Sequence, residues 1–254
     1  MAQLNAHRAG WAGFAVSGAA MIATPLLAPG RRRLAASAVV AGLAVTGTAA
    51  AIQRWGARRA SVAFATVATA ATLLERLGTT TGVPFGRYHY SGQLRPTVAG
   101  IPALVPTAWF SMALPAREVA HAALGRRSSP GRRVLLGSAA LTAWDLFLDP
   151  QMVGEGYWRW QRLGRYRGIP ATNFLGWFVA GLGLMALLEV LVPPRDTADV
   201  ALVGVYGWMS VMETIGFAAF FDDRLVAVVG GAAMVPLAAL AAWRSAHTEL
   251  VGRG

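Results

Sequence analysis

Leu141–Trp177, LTAWDLFLDPQMVGEGYWRWQRLGRYRGIPATNFLGW, is the stretch that decides the fold. It joins the end of one apolar run to the start of another through a loop crowded with aromatics and arginines. Runs of this kind, near the twenty residues that cross a bilayer as a helix, recur along the chain. They cover Trp11 to Pro29, Leu34 to Ile52, Ala60 to Leu77, Thr97 to Leu114, Val134 to Val153, Phe174 to Val192, Ala201 to Phe221 and Leu225 to Trp243. The expected fold is all-α: a polytopic transmembrane bundle of about eight helices (seven or eight), proline-kinked around a lipophilic pocket. Residues 1–254 read as a single integral membrane domain, with a site-bearing region over 73–177. The first and third runs have the weakest claim to a full span. A transmembrane β-barrel would show alternating segments of about ten residues, and none occur.

Composition agrees. Of the 254 residues, 55% are hydrophobic and 14% charged, against about a quarter charged in a soluble domain. Cysteine is absent, which excludes disulfides, thiolate metal sites and cysteine nucleophiles. Lysine is absent too, so no side chain can form a Schiff base. The formal charge of +11 comes from arginines set between the apolar runs. There they meet anionic headgroups rather than nucleic acid. They divide almost evenly between the two faces, so charge does not fix the orientation.

Six acids fall in or against the apolar runs: Glu75, Asp145, Asp149, Glu155, Glu189 and Glu213. A carboxylate at the centre of a bilayer costs about 2.5–3.5 kcal/mol on insertion scales, so each needs a partner, an interface or a function. Glu75, beside Arg76 near a run's end, and Glu189, near Val192, can be interfacial. Glu213 lies deep in its run. Asp145 and Asp149 stand out because a spacing of four puts both on one helical face. Two carboxyls that close in a dry site cannot both ionise easily, which leaves a neutral acid beside a base. Pro150 is expected to bend or end the helix there. The structural alternative is a salt bridge from this pair to Arg159, Arg162, Arg165 or Arg167.

Trp144, Phe147, Tyr157, Trp158, Trp160, Tyr166, Phe174 and Trp177 surround the pair in sequence. They form either an interfacial belt or a pocket whose ring faces stabilise a cation. No HxxxH or HxxHH box, GxGxxG turn or GxSxG elbow is present, which points to acid–base chemistry without redox.

WDLFLDP, GYWRW, Tyr166 and GIPATNFLGW, preceded by GVPFGRYHYSGQLRP and GIPALVPTAWFSM, resemble the CruF-type carotenoid 1,2-hydratases of the membrane carotenoid-biosynthesis family. The likeness runs from Leu73 to Trp177. It implies addition of water across the C1=C2 bond of an acyclic ψ end group, in lycopene, γ-carotene or bisanhydrobacterioruberin. The implied product is a tertiary alcohol, and neither cofactor nor metal is implied.

On this reading Asp145 or Asp149 donates the proton and its partner handles the water, with Glu75 and Glu213 as further candidates. Trp144, Trp158 and Trp177 would stabilise the cation, while Tyr157, Asn173, Tyr88 and Tyr90 would contact the substrate. Expected partners are a carotenoid in the lipid phase, membrane lipids and other enzymes of the pathway, in a bacterial or archaeal plasma membrane. Two rival readings stand beside it. One is a UbiA-like prenyltransferase, for which DLFLD and Asp222–Asp223 are a poor aspartate motif. The other is a proton-coupled transporter or lipid-binding membrane protein.

Overall fold

A computed structural model describes residues 2–251. Eight α-helices run through these residues: α1 Ala2–Ala23, α2 Pro29–Trp55, α3 Ala57–Thr81, α4 Leu104–Leu124, α5 Pro130–Gly154, α6 Ala171–Leu191, α7 Val200–Ala219 and α8 Arg224–Val251. Each expected apolar run overlaps one of them, although the first runs past the end of α1 and the fourth begins at Thr97, ahead of α4. Successive helices alternate in direction. One end of the bundle therefore gathers the starts of α2, α4, α6 and α8 with the ends of α1, α3, α5 and α7.

Six helices are long and apolar enough to cross a membrane: α1, α2, α3, α6, α7 and α8. The expectation that the first and third runs are weakest is corrected here, because the helices that fall short are α4 and α5. The reason is their position. Every α4 residue from Ala108 to Ala123 is buried, and α4 packs against α2, α3, α5, α6, α7 and α8. Enclosed by protein, it can carry Arg117, Glu118 and His121, which lipid would not tolerate. Alanines such as Ala113, Ala116 and Ala120 let its neighbours close in.

Pro150 does not end its helix either, since α5 continues to Gly154. Proline has no N–H, so the carbonyl of Leu146 loses its helical donor. The Tyr166 hydroxyl replaces that donor at 2.8 Å. Burial, then the nearby Asp223 carboxylate, pushes the Tyr166 phenol up to about 12, and it remains a donor at neutral pH.

The α1–α2 crossing relies on glycine. A Cβ on Gly42 would stand 2.5 Å from the Gly13 carbonyl oxygen, and one on Gly13 would stand 2.6 Å from that of Gly42. Gly42→Leu is therefore expected to destabilise the protein by about 1–3 kcal/mol through overpacking. A lowered thermal midpoint in detergent would show it, whereas an unchanged midpoint would mean that the helices separate freely.

The loops contain four short strands: β1 Tyr88–Tyr90, β2 Thr97–Val98, β3 Ile101–Pro102 and β4 Trp158–Trp160. β1 pairs antiparallel with β4, placing Tyr88 opposite Trp160 and Tyr90 opposite Trp158. β2 and β3 form a small hairpin leading into α4. Side chains alternate along a strand. In β4, Trp158 and Trp160 are accordingly buried and Arg159 exposed, while in β1 His89 is exposed between Tyr88 and Tyr90. The two loops thus make one cover with an aromatic inner face.

Candidate active site

Beneath this cover lies a chamber lined chiefly by aromatic and apolar side chains. Its wall includes Glu75 from α3, Trp109 from α4, Trp144 and Asp149 from α5, and Asn173 and Trp177 from α6. Tyr88, Tyr90, Trp158 and Trp160 close it from above. Trp109 and Trp177 stack with ring centroids 3.8 Å apart and planes 4° from parallel, and Trp144 meets Trp177 edge-on at 6.1 Å.

The carboxyls are held by neutral donors. Asn173 Nδ2 donates to Asp145 Oδ2 at 2.8 Å and also to Asp149 Oδ2, so one amide bridges the pair. Trp158 Nε1 donates to Asp149 Oδ1 at 3.0 Å. Asp145 Oδ1 is buried with no hydrogen-bond partner among the described residues. Only Asp149 faces the chamber; Asp145 lies behind it, fully buried. The salt-bridge alternative does not occur: no ion pair reaches either aspartate among the described residues, and Arg167 pairs with Asp223 at 2.6 Å.

Glu75 is buried in the chamber wall, not interfacial. Trp109 Nε1 donates to its Oε1 at 3.0 Å, Tyr90 to its Oε2 at 2.6 Å, and Tyr88 to the same oxygen. Burial, and then the Glu75 charge, hold both phenols well above their usual range, so both remain donors. Three neutral donors thus converge on this one carboxyl.

Glu213 is not in this chamber. It lines an adjoining one, among Met209, Met212 and Phe221. Ala36, Val40, Ala108, Trp144, Leu148 and Met152 belong to both walls, so the two spaces adjoin across these six residues. Tyr157 is buried but lines neither chamber. Glu189 pairs with Arg133 at 2.6 Å, and Glu155 with Arg32 at 2.9 Å. The structure therefore gathers Glu75, Asp149, Trp144, Trp158, Asn173, Trp177, Tyr88 and Tyr90 in one place, with Asp145 directly behind. It adds Trp109 and Phe85, which the sequence reading did not place in the site, and it puts Trp160, read there as belt or pocket, in the chamber wall. Among the described residues, no three His, Asp or Glu side chains converge closely enough to hold a metal ion.

Buried carboxyls and stacked tryptophans thus line an apolar chamber inside a helical membrane bundle. Residues 34–243 match the model of the family described as "Carotenoid biosynthesis protein", and the chain belongs to that family. A curated relative, the bisanhydrobacterioruberin hydratase of Haloarcula japonica, is 32% identical over 134 residues. The match covers 52% of this chain and 45% of that protein's length. No solved structure matches the chain.

Proposed function

We propose that the protein hydrates the terminal C1=C2 bond of an acyclic ψ end group on a carotenoid. The observation that carries this reading is the shared chamber: Asp149 and a triply bonded Glu75 line it together, walled by stacked tryptophans. The end group enters the first chamber and the polyene lies in the second. Asp149 transfers its proton to C2, leaving a tertiary cation at C1. The faces of Trp109, Trp144 and Trp177 stabilise that charge. Water adds through oxygen to C1, and Glu75 takes the proton that the water sheds. A proton returned from Glu75 to Asp149 resets the site, so the balance is one alkene and one water to one tertiary alcohol. Asp145 and Asn173 position Asp149, and the dry walls keep the cation from losing a proton to bulk water. No cofactor enters this scheme. The substrate arrives from the lipid of a bacterial or archaeal plasma membrane, alongside other enzymes acting on the same carotenoid.

Expression in a bacterium that makes lycopene tests the proposal, with extracted pigments separated and weighed. The expected result is a new pigment heavier by one water with its visible chromophore unchanged. No hydrated pigment from lycopene, γ-carotene or an elongated ψ-ended carotenoid would overturn it. Activity surviving EDTA would also separate it from a magnesium-dependent prenyltransferase. Within the scheme, Trp177→Leu is expected to slow turnover roughly 10-fold, about 1–2 kcal/mol of lost cation stabilisation. Initial rates at saturating substrate would show it, and a change confined to KM would place Trp177 in binding alone.

A further inference from the structure

The end of the bundle opposite the chamber buries a second group of charges that hydration does not use. Arg117, Glu118 and His121 on α4 meet Arg133 on α5, Glu189 on α6 and Asp199 at the start of α7. The acids are well supplied with donors. Glu189 receives Arg133 at 2.6 Å and lies 3.6 Å from Arg117, while Glu118 receives Arg117 and the Asp199 N–H. The donors are not matched. Arg54 Nε and Nη2, Arg117 Nη2, both ring nitrogens of His121 and Ser245 Oγ are buried without a hydrogen-bond partner among the described residues. Trp55, whose ring lies 5.6 Å from both the Arg54 and Arg117 guanidinium groups, offers them a π face but no acceptor. What this end lacks is a partner for these buried polar atoms.

There is space for it. His121 and Ser245 line a cleft between the end of α4, the turn before α7 and α8. His121 is itself only 4% exposed. Arg126, Arg244, Thr197 and Asp196 complete the polar lining. Asp196 pairs with Arg126 at 3.3 Å, but both side chains are largely exposed and the pair holds weakly. Exposed Trp243 and Val200 adjoin the cleft in sequence and supply the apolar flank expected at a headgroup boundary.

We propose that this cleft binds a phosphate oxyanion, carried by an anionic phospholipid headgroup or present as free phosphate. His121 and Ser245 donate from the floor, and Arg126 and Arg244 neutralise the charge at the rim. The site is independent of the hydration chamber.

The test is thermal unfolding of the purified full chain in detergent, titrated separately with inorganic phosphate, phosphatidylglycerol and phosphatidylcholine. Stabilisation by phosphate and phosphatidylglycerol identifies a general oxyanion site, and stabilisation by phosphatidylglycerol alone identifies a lipid headgroup site. In either case Arg126→Ala, at an exposed position that folding does not need, should weaken binding at least about 10-fold. His121→Leu should do the same, and native mass spectrometry of retained lipid provides a second readout should that variant unfold early. No stabilisation by either anion overturns the proposal, as does equal stabilisation of the wild type and Arg126→Ala.

Discussion

Replacing Asp149 with Asn is expected to cut hydration by about 10²–10⁴-fold, the usual contribution of a positioned general acid, while leaving the protein folded. The amide has the same shape, and its oxygen can still accept from Trp158 Nε1, which stands 3.0 Å from Asp149 Oδ1. What is lost is the transferable proton at the chamber wall. Asp145→Asn should lose less, because Asp145 lies behind the wall and acts through Asn173. Turnover and thermal midpoint measured on the same preparations separate chemistry from folding. Full activity in both variants would remove the aspartate pair from the mechanism. Loss confined to Asp145→Asn would reverse the two roles.

Glu189→Gln carries the largest expected effect on stability. Its carboxylate takes Arg133 through Nε at 3.1 and 3.2 Å and through Nη2 at 2.6 Å, with Arg117 alongside. Both arginines are buried. Breaking a buried pair strands the remaining charge and costs about 3–5 kcal/mol. Here one carboxylate serves two arginines, so the upper part of that range is expected. Glu155→Gln is the control, because its Arg32 pair is partly exposed and should cost less than about 1 kcal/mol. Denaturation in detergent measures both, and equal small effects would mean that water reaches the arginine cluster.

The bundle was legible in the sequence because apolar runs of membrane length have one economical structure. The site was legible where its residues share a helix, as Asp145 and Asp149 do. It was less so where contacts come from afar. Glu75 stood only as a further candidate, with an interfacial role as its alternative, because its three donors stand 13, 15 and 34 residues away. Trp109 looked like one more apolar residue in GIPALVPTAWFSM. The β1–β4 cover did leave a trace: YHY and WRW share one aromatic–polar–aromatic alternation, the signature of paired strands with one buried face. Arg117, Glu118 and His121 escaped notice because the fourth run was taken to stop before Pro115. That proline instead lies inside α4, which carries the charges on into the protein interior.

The most direct test of the central claim is hydration of a ψ-ended carotenoid by the purified protein in heavy water. Proton delivery from a carboxyl in exchange with solvent predicts one carbon-bound deuterium at C2 beside a new hydroxyl at C1, and about 10²–10⁴-fold slower formation of this product in Asp149→Asn. Product without deuterium at C2, or the same labelled product formed undiminished by Asp149→Asn, would contradict protonation by this site.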